Sequence, residues 1–409
     1  MQAKRWTEWA GVLVALLLGA GCSGGEAPPP LDLAAVTWDE IEARAEGQTV
    51  NLAMWTGDPS VNDYMRGYVD STLQARYGID LQISSAQGNQ IVSMLMTERE
   101  AGAAQSEFDM TWINGETFYQ LRQIDALYGP FVEALPNRRY LDLDSRFIHT
   151  DFQQPIDGYE APWGNVQFAL IVDTTRVADP WQTREELADW VEAHPGRFTF
   201  DASFSGMTFL KMLLIDIAGG GDALAGPFDG ATYERHSAAL WDYIRRLQPH
   251  LWKQGATFPR DVSRLHQLYV NGEVDYTMSN NDGEVDNKVA QGLFPLTSRA
   301  YVPAFGSIQN THYWGIPQRA ADKAGALVAI NFLLSPEAQH RKLRPDVWGD
   351  GTVLDVDALP PPWPARFAAA AEREHAPERS AIQDRAQMEL APEYMIRLYD
   401  DFRTEIIEP

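Results

Sequence analysis

The chain has 409 residues, of which 45% are hydrophobic and 22% are charged, a composition typical of a globular protein with roughly two or three domains or lobes. Lys and Arg number 33 against 57 Asp and Glu, so the formal net charge is −24, which argues against binding to nucleic-acid phosphates or to anionic lipid. The single cysteine excludes an intrachain disulfide framework and a cysteine-rich metal site.

The first 22 residues have the pattern of an export signal. A basic start precedes an apolar run at residues 10–21, which at about twelve residues is too short to span a bilayer and fits a signal peptide. The run ends at Cys22, a position that resembles the lipidated cysteine of bacterial lipoproteins. We expect residues 1–22 to be a signal peptide with Cys22 lipidated, and cleavage by the ordinary signal peptidase is the alternative. Residues 23–47 are expected to form a tether and a first short helix.

Strands and helices alternate between residues 48 and 135. Asp58 followed by Pro59 predicts the start of a helix, and Gly78 predicts its end. The alternation predicts a parallel sheet, in which ligands bind beyond the carboxyl ends of the strands. The predicted strands are Thr49–Trp55, Ile79–Ser84 and residues 108–112.

A second set of elements follows, and the chain then returns to the first sheet. An apolar helix is predicted at Thr208–Ile217, amphipathic helices at Tyr233–Leu247 and Val262–Val270, and a further helix at Ala320–Leu334. The C-terminal region is predicted to be polar and helical. Strands are predicted at Val166–Asp173, Phe198–Phe200, Val274–Met278, Arg299–Val302 and His312–Ile316.

The sequence contains no recognised catalytic or nucleotide-binding motif. It has no G-x-S-x-G turn, no H-E-x-x-H, no Walker loop and no EF-hand loop. The histidines are scattered, and the carboxylate pair Asp142 and Asp144 is expected by chance among 57 acidic residues. We therefore predict no catalytic residues, no bound metal and no cofactor. An exported hydrolase that acts on envelope polymers is kept as an alternative.

Polar and aromatic residues cluster beside the predicted strand ends. Asn side chains offer donors and acceptors together, helix N-termini offer free N–H groups, and Trp offers a flat wall. We therefore predict a ligand site there. Its candidate residues are Trp55, Asp58, Asn89, Asn114, Glu116, Trp163, Asn165, Asn280, Asn281, Asp282, Asn310 and His312.

Several longer motifs resemble those of bacterial extracellular solute-binding proteins of family 1, the receptors of ABC importers, in a branch related to thiamine-type binding proteins. The resemblance covers roughly residues 48–367, and Thr56 departs from the Gly expected in the first motif. The motifs are MWTGDPSVNDYM (54–65), FDMTWINGETF (108–118), APWGNVQFALIVDTTRV (161–177), NGEVDYTMSNNDGEV (271–285), NTHYWGIP (310–317), AGALVAINFLLSPEAQ (324–339) and DVWGDGTVLDVDALP (346–360).

The resemblance implies the α/β, two-lobe periplasmic binding protein fold of type II, with the ligand cleft between the lobes. Lobe one would comprise residues 48–164 plus 301–409, and lobe two residues 165–300. Closure of the lobes would capture a small-molecule solute, which a monomeric protein in the periplasm, anchored to the membrane by lipid, would deliver to an ABC permease in the inner membrane. A ligand sensor on the same fold is an alternative.

The ligand is predicted from the residues around the strand ends. Trp55, Trp163 and Trp314, together with nearby acidic residues, suit an organic cation such as thiamine, which they would hold by stacking and charge. A sugar also fits, because aromatic walls and Asn side chains bind sugars well. Ferric iron fits less well, because the chain has no adjacent pair of tyrosines.

Overall fold

The computed structural model describes residues 31–408. The predicted signal peptide, Cys22 and the start of the tether lie outside the described residues. Within residues 31–408 no helix has the length and apolarity needed to cross a bilayer. The strands are β1 Thr49–Met54, β2 Asp80–Ser85, β3 Met110–Ile113, β4 Thr150–Asp151, β5 Gln154–Pro155, β6 Glu160–Gln167, β7 Ala169–Asp173, β8 Tyr276–Ser279, β9 Ser298–Tyr301, β10 Ser307–Gly315 and β11 Ala386–Gln387.

Helices connect these strands and cover both sheets. Short π-helical turns at Asp63–Val69 and Arg403–Ile407 continue two of the helices. The helices are α1 Trp38–Ala45, α2 Pro59–Asn62, α3 Asp70–Tyr77, α4 Gly88–Glu100, α5 Gly115–Gln123, α6 Arg146–His149, α7 Arg184–Ala193, α8 Phe204–Ile217, α9 Gly230–Leu247, α10 Val262–Val270, α11 Glu284–Ala290, α12 Lys323–Leu333, α13 Pro336–Leu343, α14 Trp363–Ala370, α15 Arg379–Ile382 and α16 Pro392–Phe402.

The large sheet is built on three parallel strands, which confirms the prediction from strand–helix alternation. Strand β1 lies between β2 and β3, with Leu52 opposite Ile83 on one side and Met110 on the other. Strand β10 continues the sheet antiparallel to β3 and pairs in turn with β6 and β11. The carboxyl ends of β1, β2 and β3 therefore meet at one edge of the sheet.

The predicted helix start at Asp58 and helix end at Gly78 are both present in the structure. The Asp58 carboxylate accepts a hydrogen bond from the Ser60 backbone N–H at 2.7 Å and begins α2, with Pro59 at the first helical position. Gly78 ends α3 in the left-handed conformation at φ +68°, which glycine adopts without steric cost. These two residues set where the polypeptide leaves β1 and enters β2.

The small sheet is antiparallel, with β7 at its centre between β8 and β9. Strand β7 is buried along its whole length, as its apolar run predicts. Helix α8 is apolar on nearly every side, and most of it is buried in the hydrophobic cluster around this sheet, the small-sheet core. A second cluster surrounds β1, β3 and α12, and we name it the large-sheet core.

One stretch predicted as a loop is part of a strand, and one predicted strand is absent. Residues 160–167 form β6 and pair with β10 over its length, because backbone groups in this buried stretch must be hydrogen-bonded. Residues 198–200 belong to no sheet in the described chain, since the carbonyls of Arg197 and Phe198 instead accept single hydrogen bonds from Asp275 and Trp252.

Helix α16 packs in the small-sheet core, contrary to the expectation for residues 301–409, whereas β11 and α14 belong with the large sheet. Tyr394, Met395 and Leu398 of α16 are buried in the small-sheet core. Helix α16 is strongly amphipathic, and it packs against α8. The expectation was wrong for this helix, because an apolar stripe shows that a helix packs but does not show against which core.

Candidate functional site

The loops at the carboxyl ends of the parallel strands contact helices that belong to the small-sheet core. Ser60 at the start of α2 donates a hydrogen bond from Oγ to Asn287 Oδ1 at 2.8 Å, and Gln291 Nε2 donates to Ser60 Oγ at 2.8 Å. Ser263 Oγ donates to the carbonyl of Gly57 at 3.0 Å. We name this surface, residues 57–60 against 263 and 284–291, the junction. The predicted residue Asp58 lies in it.

A buried ion pair lies at the centre of the junction. Lys288 of α11 contacts the Asp58 carboxylate directly, and its Nζ lies 3.4 Å from Glu284 Oε1. The side chains of Lys288 and Asp58 are 5% and 7% exposed. Burial opposes the ammonium charge, but Glu284 and Asp58 together raise the pKa of Lys288 above its ordinary value. Lys288 thus keeps its charge, and its contact with Asp58 joins residues 230 positions apart in the chain.

A second polar region, the carboxylate cluster, consists of Glu116, Asp151, Glu160 and Glu389 with Lys211. Glu116 begins α5 at the carboxyl end of β3, and Lys211 comes from α8 of the small-sheet core. Lys211 contacts the Glu389 carboxylate, which also accepts a hydrogen bond from Asn310 Nδ2 at 3.1 Å. The cluster therefore draws on both sheets and on the C-terminal region.

The carboxylates of this cluster hold protons more tightly than ordinary ones. Burial raises the pKa of Glu116 to about 7. Burial and the charges of Glu116 and Glu389 raise the pKa of Asp151 well above its usual range. Burial and the charge of Asp151 do the same for Glu160. Perturbed groups of this kind are typical of functional sites.

Asp282, predicted as a ligand residue, has a structural role instead. Its fully buried carboxylate accepts the backbone N–H of Gln167 at 2.8 Å and contacts Arg373, while Arg379 donates from Nη2 at 2.9 Å. Burial opposes its ionisation, but Arg379 and Arg373 lower its pKa to about 2. Both oxygens of Asp282 are used to hold residues 373–379 against the end of β8, which leaves neither for a ligand.

Trp163 and His312 also lie inside the protein rather than in loops. Trp163 on β6 is fully buried, with its ring 4.3 Å from that of Trp314 and 5.0 Å from that of Trp112. His312 Nε2 lies 3.2 Å from an oxygen of buried Asp350. The prediction that Trp163 forms a ligand wall was wrong, because its ring is buried in the large-sheet core.

Three predicted asparagines are engaged in internal hydrogen bonds. Asn165 donates from Nδ2 to Thr311 Oγ1 at 2.8 Å. Asn281 accepts the backbone N–H of Gly283 at 2.9 Å, and Asn310 holds Glu389 as described above. These side chains order the crossing strands and the turn after β8.

The remaining predicted residues retain solvent exposure at the carboxyl edge of the large sheet or opposite it. Trp55, Asn114 and Glu116 are half-buried, and Asn89 on α4 is exposed. Asn280 donates from Nδ2 to Ser205 Oγ at 2.8 Å, and its Oδ1 has no hydrogen-bond partner among residues 31–408. These five side chains are the predicted residues that are available to a ligand.

Sequence reasoning missed the charged groups that organise the region. Lys211 and Lys288 both lie in helices that are otherwise largely buried, and Glu160 opens a buried strand. One signal was present, because a lysine inside the apolar run TFLKMLLI is costly unless it has a partner. Among residues 31–408, no group of three or more His, Cys, Asp or Glu side chains has the geometry to hold a metal ion.

Comparisons with known proteins agree with this architecture. Residues 68–371 match the family model described as bacterial extracellular solute-binding protein. Protein YnjB of Escherichia coli (strain K12) is 37% identical over 327 residues, which are 79% of this chain and 84% of that protein.

Solved structures with low sequence identity share the fold. The periplasmic binding protein AfuA from Actinobacillus pleuropneumoniae, with fructose-6-phosphate bound, superposes with a TM-score of 0.63 at 12% identity over 88% of this chain and 99% of AfuA. The Tp0655 (TpPotD) lipoprotein of Treponema pallidum superposes with a TM-score of 0.62 at 13% identity, over 88% of this chain and 99% of Tp0655. The chain therefore belongs to the bacterial extracellular solute-binding proteins of ABC transporters and has their two-lobe α/β fold.

Proposed function

We propose that this protein captures an organic cation between its two lobes, without catalysing a reaction, and delivers it to an ABC permease. Lobe one comprises residues 48–164 and the chain from about 301 to 385. Lobe two comprises residues 165–300 and, through α16, the C-terminal end. The packing of α16 in the small-sheet core supports this revised boundary.

One observation carries the proposal: the carboxyl edge of the large sheet makes direct polar contacts with the opposite lobe at the junction. The contacts Asp58–Lys288 and Ser60–Asn287 are short and specific, and they join elements that a hinge motion would separate. Contacts of this kind stabilise a closed form, and a solute that touches both lobes shifts the equilibrium further towards it.

The charges in the cleft region favour a cation over a neutral sugar. Glu116 lies at the carboxyl edge of the large sheet, and Trp55 is half-buried beside Gly57. A carboxylate beside an aromatic ring binds an ammonium or heterocyclic cation by charge and cation–π attraction. The absence of metal-holding geometry among residues 31–408 makes iron the weakest candidate.

The proposed location is the periplasm, with a monomeric protein held at the membrane by lipid on Cys22. The signal-like residues 1–22 support export. The structural neighbour Tp0655 is itself a lipoprotein, which supports an anchor of the same kind here. Loss of membrane association on Cys22→Ala, in cell fractionation, would be the expected result. Release of the unaltered protein in soluble form would contradict the anchor.

The test of the ligand class is thermal unfolding of the mature chain from residue 23 against a panel. The panel holds thiamine and its phosphates, polyamines, betaines, mono- and disaccharides and ferric iron. A ligand at 100 times its dissociation constant adds about 2.7 kcal/mol of stability, which moves the midpoint by a few degrees. We expect one class of organic cation to raise the midpoint of thermal unfolding. A rise with sugars alone would overturn the cation assignment and leave the receptor function in place.

A further inference from the structure

The carboxylate cluster holds more acidic groups than basic ones. Four carboxylates, from Glu116, Asp151, Glu160 and Glu389, share one ammonium, that of Lys211. They come from four separate parts of the chain: α5, β4, β6 and the segment before α16. The other titratable groups that face the cluster are Arg122 near Glu160, Tyr313 near Asp151 and Glu160, and Tyr399 near Glu116.

Several of the carboxylate oxygens have no hydrogen-bond partner within the described residues. Asp151 is 2% exposed and its Oδ2 is unpaired, while Glu160 is fully buried with both oxygens unpaired. Glu116 Oε2 is unpaired as well. A buried carboxylate oxygen without a hydrogen-bond partner lowers the stability of the folded state by several kcal/mol. These oxygens therefore require bound protons or a bound cation.

Lys211 shows which kind of cation this environment accepts. Its Nζ contacts Glu389 and lies 4.1 Å from the centroid of the Phe152 ring and 5.7 Å from that of Phe204. A carboxylate together with aromatic faces is the chemistry that recognises an ammonium group. Lys211 thus already fills one ammonium position beside Glu389, and Asp151 Oδ2 is a buried carboxylate oxygen to which Lys211 does not donate a hydrogen bond.

A small cavity adjoins Asp151 and Glu389 of the cluster, whereas Glu116 and Glu160 do not line it. It is lined by Asp151, Glu389, Phe152 and Asn310, among others, and has a volume of about 10 Å³, which is the size of one water molecule. An ammonium group has similar dimensions. A divalent metal is disfavoured, since residues 31–408 contain no suitably arranged set of three ligands.

We propose that the carboxylate cluster is the subsite for the ammonium group of an amine solute, which enters beside Asp151 and replaces protons held by the carboxyl groups. The protons pass to solvent, so that each charge brought in by the amine is exchanged for a proton released. This inference rests on the proposed function and names the part of the cation that the protein recognises.

The exchange makes amine binding depend on pH. At low pH the carboxyl groups keep their protons, and the incoming ammonium group must displace them. Glu116, with its pKa raised by burial to about 7, releases its proton within the accessible range. Affinity for the amine therefore increases from pH 6 to pH 8.

The experiment measures the affinity of the mature chain for putrescine and for thiamine by titration calorimetry at pH 6, 7 and 8. Asp151→Asn and Glu160→Gln each remove one carboxyl group that can exchange its proton for the amine, and exposed Asp144→Asn is the matched control. We expect the wild type and the control to bind one of the probes at least 10-fold more tightly at pH 8 than at pH 6. Each cluster variant should weaken binding at pH 8 at least 10-fold. Circular dichroism and a thermal melt check that both variants fold.

The outcomes separate this inference from the proposed function. Binding of a probe by the wild type that neither changes with pH nor weakens in Asp151→Asn and Glu160→Gln would overturn the subsite while leaving a cation receptor. Failure of the wild type to bind either probe, with a sugar bound instead, would overturn the cation assignment, and the subsite would fall with it.

Discussion

The Asp58–Lys288 ion pair makes the sharpest prediction about closure. Lys288→Met keeps the length of the side chain but removes its charge, so that Asp58 and Glu284 remain buried without their cation. Asp58 begins α2 beside the large sheet, whereas Lys288 lies in α11 beside the small sheet. The substitution therefore acts on the contact between the two lobes more than on either core.

The magnitude follows from the two carboxylates beside Lys288, that of Asp58 on α2 and that of Glu284 on its own helix α11. The Lys288 Nζ to Glu284 Oε1 distance is 3.4 Å, at which two unit charges attract by about 5 kcal/mol in a medium of effective dielectric constant near 20. Desolvation offsets much of this attraction while the pair is intact. Removing one partner of a buried pair costs about 3–5 kcal/mol, because the other charge stays buried alone. We expect Lys288→Met to lower the free energy of unfolding by at least about 3 kcal/mol at pH 7.

The assay combines urea unfolding with small-angle X-ray scattering of the unliganded protein. The variant should show a larger radius of gyration, because the lobes separate more often, and exposed Lys253→Met should match the wild type. In a cycle with Asp58→Asn, the double variant should lose about 2 kcal/mol less than the sum of the single losses. The role given to the pair would be refuted by two results together. The stability losses of the single variants would add up to that of the double variant within about 0.5 kcal/mol, and Lys288→Met would give the scattering curve of the wild type.

Three further predictions concern stability. The folded state keeps the Glu116 proton to about pH 7, whereas the unfolded chain releases it near 4.5, so stability falls as pH rises through this interval. Glu116→Gln should therefore be more stable than the wild type by about 2 kcal/mol at pH 8, a value reduced because Glu116 is partly exposed, and equally stable at pH 4. Urea titrations that show the same stability difference at both pH values would contradict this. Trp163→Ala should cost about 3–5 kcal/mol as a buried core truncation, and a loss under about 1 kcal/mol would restore Trp163 to the cleft. Gly164→Ala should lower the melting temperature, because a Cβ there would overlap His312 and Asp350; an unchanged midpoint would show that β6 can shift to make room.

Local signals in the sequence predicted much of the large sheet. Asp58 and Gly78 begin and end the first helical segment where the sequence places them, since caps depend on groups only a few residues away. The alternation of strands and helices likewise predicted the parallel strands, because periodicity reports which face of each element is buried. The predicted position of the candidate site, at the carboxyl edge of these strands, rests on the same local information.

The partners of the charged side chains came only from the tertiary structure. Asp282 looked available to a ligand in the sequence, but residues 91 and 97 positions later in the chain neutralise it. Trp163 looked like a loop residue, but it lies at an irregularity in the pairing of β6 with β10, and its ring is buried in the large-sheet core.

The sequence by itself determined the α/β class and the family, and it predicts the sheet edge at which a ligand binds. The tertiary structure alone decided which carboxylates are paired and which are not, and that α16 packs with the second core. The physical reason is that caps and periodicity act over a few residues, whereas ion pairs and core contacts depend on how elements distant in the chain are brought together. A buried charge such as Lys211 is stable only once Glu389, 178 residues away, lies beside it.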